Sequence, residues 1–106
     1  MGNIDNIKKK YQELFMNSTF QQVYLLKRKR LYTKIFDIIY PLKISSLLDI
    51  GCAYGLLVEL CNRYGIDAFG MDLPIDNLKR FHGQLKHSKG KFIYGSVDDN
   101  SFIEKI

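Results

Sequence analysis

The stretch SSLLDIGCAYGLL, residues 45–57, constrains the fold more than any other part of the chain. Its apolar run, Ser46 to Ile50, has the length and bulk of a buried strand. The run carries one carboxylate, Asp49, and ends on two glycines separated by three residues, Gly51 and Gly55. Gly51 grants backbone angles, or a close ligand approach, that a side chain would block. A helix over about Leu56 to Tyr64 then aims its first amides at whatever occupies the turn. A strand-to-helix turn that uses its glycines for geometry alone fits the same letters. The order Asp-x-Gly-x-x-x-Gly differs from the dinucleotide fingerprint Gly-x-Gly-x-x-Gly, although it can serve similar physics.

The remaining segments extend this unit into an alternating pattern. Gly65 is placed to cap the helix, and Asp67–Met71 reads as a second strand. A second helix should carry Ile75, Leu78, Phe81 and Leu85 inward, and after the Ser-Lys-Gly turn Lys91–Tyr94 is a third strand. Strand-helix-strand-helix-strand implies parallel strands joined by right-handed crossovers. The fold class is therefore α/β, a partial Rossmann-like parallel sheet of three strands in the order 3-2-1. Ahead of it, residues 1–43 read as a helical arm and residues 44–106 as the sheet domain. In the arm, Ile7, Tyr11, Leu14 and Phe15 have the spacing of a short amphipathic helix. Thr19 and Gln22 have the spacing of a capping box. A long helix from about Phe20 to Tyr40 should turn Tyr24, Leu31, Ile35, Ile38 and Ile39 to one side, until Pro41 stops it.

Charge separates the two parts. Residues 1–43 hold nine Lys and Arg against three acids, while residues 44–106 hold seven against eight. Lys27, Arg30 and Lys34 share one helical stripe. A nucleic-acid or acidic partner could use that stripe, but a solvated helix face is the commoner reason for it, and no aromatic interleaving sharpens the case. An apolar content of 46% with mixed charge describes a folded domain rather than a disordered chain. No apolar run reaches membrane-spanning length, so no membrane partner is expected and a cytoplasmic location is the default. The opening MGNIDN has Asn6 where a myristoylation signal needs Ser or Thr. Cys52 and Cys61 lack metal spacing and read as reduced, buried thiols. His82 and His87 have no clustered ligands and receive no site. Glu59 and Asp67 read as solvated surface charges.

Asp72 supplies the second informative position. It ends the second strand 21 residues after Gly51. Parallel sheets bind ligands beyond the carboxyl ends of their strands, and an acid at about this distance can accept both ribose hydroxyls. The pair points to a nucleoside-containing ligand. The alternative is a charge near the start of the next helix, ahead of Pro74.

LLDIGCAYG followed by GMDLP resembles the cofactor half of the class I S-adenosylmethionine-dependent methyltransferases, over about residues 44–99. The resemblance implies S-adenosyl-L-methionine as cofactor and an unidentified methyl acceptor. It lays the methionyl part of the cofactor against Asp49, Gly51, Cys52, Ala53 and Gly55, with Ala53 in place of the usual middle glycine. It puts the ribose on Asp72 and packs adenine on Leu73. In the loop after strand three, Ser96 stands where an acid is usual, Val97 follows, and Asp98 comes two positions late. The arm would correspond to the cap that many members fold over the cofactor. The resemblance supplies no catalytic base or metal ligand from these residues.

The family sheet has seven strands and this chain offers three. Ser101 and Glu104 announce a helix just as the sequence ends, although one turn cannot sustain itself. The expectation is the N-terminal portion of a methyltransferase, as an excised piece or a truncated product, inactive alone. The edge of strand one would then be open to pairing with a second copy. Two other functions fit less well. An NAD-dependent Rossmann protein would share the ribose acid but prefer a different glycine pattern. A non-catalytic module would bind an acidic or nucleic-acid partner through the Lys27–Lys34 helix.

Overall fold

A computed structural model describes residues 17–95, together with Asn6, Lys9, Lys10 and Glu13. The expected first helix, Ser96, Val97, Asp98 and the Ser101–Glu104 pattern lie outside the described residues, apart from those isolated positions. The elements are α1 (Ser18–Ile39), a 3-10 turn (Tyr40–Leu42), β1 (Ser46–Ile50), α2 (Leu56–Arg63), β2 (Asp67–Asp72), α3 (Asp76–Gly83) and β3 (Phe92–Tyr94). The sheet is parallel throughout, in the order β1-β2-β3. Leu47 registers with Ala68, and Gly70 with Phe92. The α/β architecture and strand order expected from the sequence are therefore present.

α1 begins at Ser18, with Gln21 N–H donating to the Asn17 carbonyl at 2.9 Å. Thr19 consequently sits inside the first turn rather than at a capping box with Gln22. The α-helix gives way at Ile39 to the 3-10 turn that contains Pro41, whose missing N–H and fixed φ are tolerated in a first turn. Lys43 closes that turn at φ 56° with its N–H on the Tyr40 carbonyl.

The buried face of α1 keeps Tyr24, Ile35 and Ile39 of the expected set but not Leu31 and Ile38. Tyr32 and Phe36 are buried, with Ile35 and Ile39 packed beside them, whereas Leu31 and Ile38 are 41% and 69% exposed. At about 100° per residue, positions 25, 32, 36 and 39 fall on one side of the cylinder and positions 31 and 38 well off it. The two aromatic rings, not the aliphatic count, choose the face. They bury more area per residue than the side chains they displace.

Tyr32 and Phe36 join Leu57, Val58 and Cys61 of α2, Ile66, and Ala68 of β2 in one core, with Leu47 and Phe92 against it. α1 thus packs directly on α2 and shares the core of the sheet. Alternation along β1 turns Leu47 and Asp49 toward this side and leaves Leu48 and Ile50 exposed on the other. A second cluster unites Ala53, Tyr54, Ile75 and Leu78, with Tyr24, Leu73 and Phe81 around it.

Two expectations on the later elements are corrected. α3 ends at Gly83, so Leu85 lies in the following turn, and the residue buried one helical turn after Leu78 is His82. Glu59 is not a solvated charge: it is 9% exposed, and its carboxylate accepts from the His87 N–H and the Ser88 hydroxyl, both at 2.9 Å. Asn62 completes this tie between α2 and the loop before β3. Its side chain donates to the Ala68 carbonyl and to Ser88 Oγ, and accepts from the Ala68 amide. Asp67 does sit at the surface, paired with Lys91.

Candidate functional site

The turn after β1 is held down on the end of β2. Gly51 and Cys52 N–H both donate to the Met71 carbonyl, at 2.8 and 3.1 Å. Ala53 N–H donates to Asp72 Oδ2 at 2.6 Å, and Leu73 N–H donates to Asp72 Oδ1 at 2.7 Å. Gly55 N–H closes back on the Cys52 carbonyl at 2.9 Å. The amides of residues 51, 52, 53 and 55 are therefore spent inside the protein. What the turn offers outward is its Cα surface and the half-buried Asp72 carboxylate, with Asp49 Oδ2 buried behind it, plus the first-turn donors that any helix leaves at its start.

The backbone explains why glycine is needed where it stands. Gly51 has φ +76° with open space where a Cβ would point, whereas Gly55 has φ +79° and its Cβ would lie 2.6 Å from the Phe92 ring. The first is a conformational requirement beside free volume, the second both a conformational and a packing one. Ala53 adopts φ +49°, the left-handed region, although it carries a side chain. An alanine in that region costs about 1–2 kcal/mol relative to the right-handed one, so the surroundings must hold it there.

The expected residues fall into a close group. Asp49 lies one residue before the end of β1 and Asp72 ends the adjacent parallel β2, with Cys52, Ala53 and Gly55 on the turn that follows β1. Asp72 keeps lone pairs for further donors, since each carboxylate oxygen has accepted one bond from the protein. Asp49 Oδ2 is buried with no hydrogen-bond partner. Burial pushes the Asp49 carboxyl up from its ordinary value, the Asp72 charge pushes it further, and Arg28 offsets part of this. Two neighbouring carboxylates, one with an orphaned oxygen, make a site short of positive charge. Leu73 is half-buried against the second cluster. Cys52 is free and 1% exposed, and burial raises its thiol well above the ordinary range; Cys61 is likewise free and buried, pushed up to about 11. Neither is a nucleophile in this setting.

His82, Tyr94 and Tyr54 belong to the site's support, and the sequence reading passed over all three. His82 is 3% exposed, its Nε2 lies 2.6 Å from the Ala53 carbonyl and its Nδ1 2.8 Å from the Tyr94 hydroxyl. A carbonyl only accepts, so Nε2 carries the proton; in the neutral ring Nδ1 then accepts from Tyr94. The ring stacks on Phe92, centroids 3.8 Å apart and planes 4° from parallel. Burial keeps His82 below its ordinary pKa, against the opposing pull of the Ala53 bond and the Asp72 charge. Tyr54 is buried between the rings of Tyr24 and Phe81, at 5.5 and 5.0 Å. The available signal for His82 was its position four residues after Leu78, on the inward stripe of α3.

No family model, curated protein or solved structure matches the chain. Among the described residues no cluster of three metal-ligating side chains occurs, and no helix is long and apolar enough to cross a membrane.

Proposed function

We propose that the chain binds S-adenosyl-L-methionine and forms the cofactor side of a methyltransferase. One observation carries the reading: the acid at the end of β2 and the glycine turn after β1 are joined at the carboxyl ends of neighbouring parallel strands, the place where open α/β sheets bind nucleotides. Asp72 would accept the ribose hydroxyls through the lone pairs its two backbone bonds leave free. Asp49 Oδ2, buried and unpartnered, fits the ammonium of a methionyl group, and that positive charge would relieve the repulsion between the two acids. The open space over Gly51 gives the ligand backbone contact, and Leu73 offers an apolar edge to the base.

When bound, the cofactor supplies an electrophilic methyl on its sulfonium. The chain's own contribution is to bind, orient and desolvate it, and alignment of that kind can supply much of the acceleration in an in-line transfer. In this reading residues 17–95 form the cofactor side of the cleft. The electron-poor sulfonium needs little acid–base help from the cofactor side.

Calorimetric titration with S-adenosylhomocysteine, S-adenosylmethionine, NAD and a generic RNA tests the reading. Binding of the first two in preference to NAD is expected. NAD binding without either sulfur nucleoside would instead favour a dinucleotide-binding protein, and RNA binding alone would favour a module acting through α1.

A further inference from the structure

The peptide groups on either side of Ala53 are both held, and by different elements. Its N–H is fixed by Asp72 from the end of β2, and its carbonyl by His82 from α3. Between these two bonds the residue sits at φ +49°, which an alanine avoids when left to itself. His82 cannot shift to follow a relaxing turn, because its ring is stacked on Phe92 and its other nitrogen faces Tyr94. Gly55, on the same turn, is packed against both rings, its Cβ position lying 2.6 Å from Phe92 and 3.3 Å from His82.

We propose that His82 is a positioning residue of the nucleoside site: by holding the Ala53 carbonyl it keeps Ala53 left-handed, and so keeps the Ala53 amide on Asp72. The inference rests on the cofactor-binding reading above for its effect on affinity, but its structural half stands without a ligand. Without the bond to His82, Ala53 relaxes toward negative φ, its amide swings off Asp72, and the carboxylate loses the contact that orients it. His82 itself touches no ligand.

A glycine at position 53 separates this role from general packing. Glycine reaches the left-handed region freely, so a chain with Ala53→Gly no longer needs the latch. His82→Phe keeps an aromatic ring for the stack on Phe92 and removes the donor. It should weaken S-adenosylhomocysteine binding about tenfold. Measured against Ala53→Gly alone, adding His82→Phe should cost little further affinity, because glycine no longer needs the latch. His82→Gln, whose amide can donate to the same carbonyl, should behave close to wild type.

The ligand-free proteins give the second readout by NMR. The Ala53 amide shift and its coupling to the α-proton should move in His82→Phe, whereas the residue-53 amide of the double variant should match that of Ala53→Gly alone. If wild type binds no S-adenosylhomocysteine, the cofactor reading fails while these couplings still decide the role of His82. An Ala53 amide unmoved in folded His82→Phe would overturn the proposal. So would strictly additive effects of the two substitutions, or failure of both His82→Phe and the double variant to fold while Ala53→Gly folds normally, since packing alone would then account for His82.

Discussion

The Ala53 amide donates to Asp72 Oδ2 at 2.6 Å, so the turn after β1 and the acid after β2 are one unit rather than two neighbouring motifs. A ligand that engages the carboxylate also tightens the turn, and damage to either is felt by the other. Asp72→Ala should therefore weaken S-adenosylhomocysteine binding by about tenfold or more and also lower stability by about 1–3 kcal/mol, since the Ala53 and Leu73 donors lose their acceptor. Calorimetry and thermal unfolding on the same variant check both halves. Unchanged affinity in a folded Asp72→Ala protein would remove the ribose contact from the site.

Asp49 should behave in the opposite sense for stability. Its carboxyl is raised by burial and by Asp72, so its ionised form destabilises the ligand-free fold. A raised folded-state value means that stability grows as pH falls through it toward the ordinary 3.8. Asp49→Asn should accordingly raise Tm of the ligand-free protein at pH 7 and weaken binding of the sulfur nucleoside. A variant that gained in both would show that the orphaned oxygen has no part in recognition.

Acid should cost the fold stability in two stages, at His82 and then at Glu59, against the gain from Asp49. His82 is held below its ordinary value by burial, with Tyr94 and Asp72 facing the ring and Lys79 lying over the ring of Tyr94. The unfolded chain then binds a proton first, so stability falls as pH drops below about 6.5, by at most about 1.4 kcal/mol per pH unit, until the folded histidine also protonates. Burial alone would raise Glu59, but the bonds from Ser88 and His87 together outweigh it and hold the carboxyl below 4.5. Its contribution is present above 4.5 and is lost as pH falls below that value. Urea midpoints measured from pH 7.5 to 3.5 should show both stages, and His82→Gln should remove the first alone.

The outward side of α1 should be dispensable for the nucleoside. Lys27, Arg30 and Lys34 are exposed on the side opposite Tyr32 and Phe36. Replacing all three with Gln should leave S-adenosylhomocysteine affinity unchanged. Any binding to RNA should be weak and fall steeply with salt. Tight, sequence-dependent RNA binding that the triple variant loses would instead make this helix the functional surface.

β1 lies at one edge of the sheet, with Leu48 40% and Ile50 61% exposed. An unpaired edge carrying apolar side chains invites pairing with another chain. Light scattering should show concentration-dependent association of the chain, and Leu48→Lys should shift it toward monomer. Monomer at every concentration would mean that the edge is protected by other means.

The order of elements was legible in local signals: a strand-length apolar run, glycines at the turn, a glycine at position 65 after α2 and a proline just past α1. The sequence also placed Asp49, Gly51, Ala53, Gly55 and Asp72 together, since parallel strands joined by short crossovers bring their carboxyl ends to one side. Which side of α1 is buried came from packing: Tyr32 and Phe36 meet Leu57, Val58 and Cys61 of α2 while Leu31 and Ile38 stay exposed, and spacing alone favours neither set. Glu59 looked like any charge on a helix until the loop of His87 and Ser88 closed over it, 28 and 29 residues away. The role of His82 was hidden for the same reason, although its spacing from Leu78 placed it on the inward stripe. Its partners, Ala53 and Tyr94, lie 29 and 12 residues off and on different elements. A periodic pattern shows that a residue faces inward, but only the folded chain shows which polar group meets it there, because a buried hydrogen bond depends on atoms that the sequence leaves far apart.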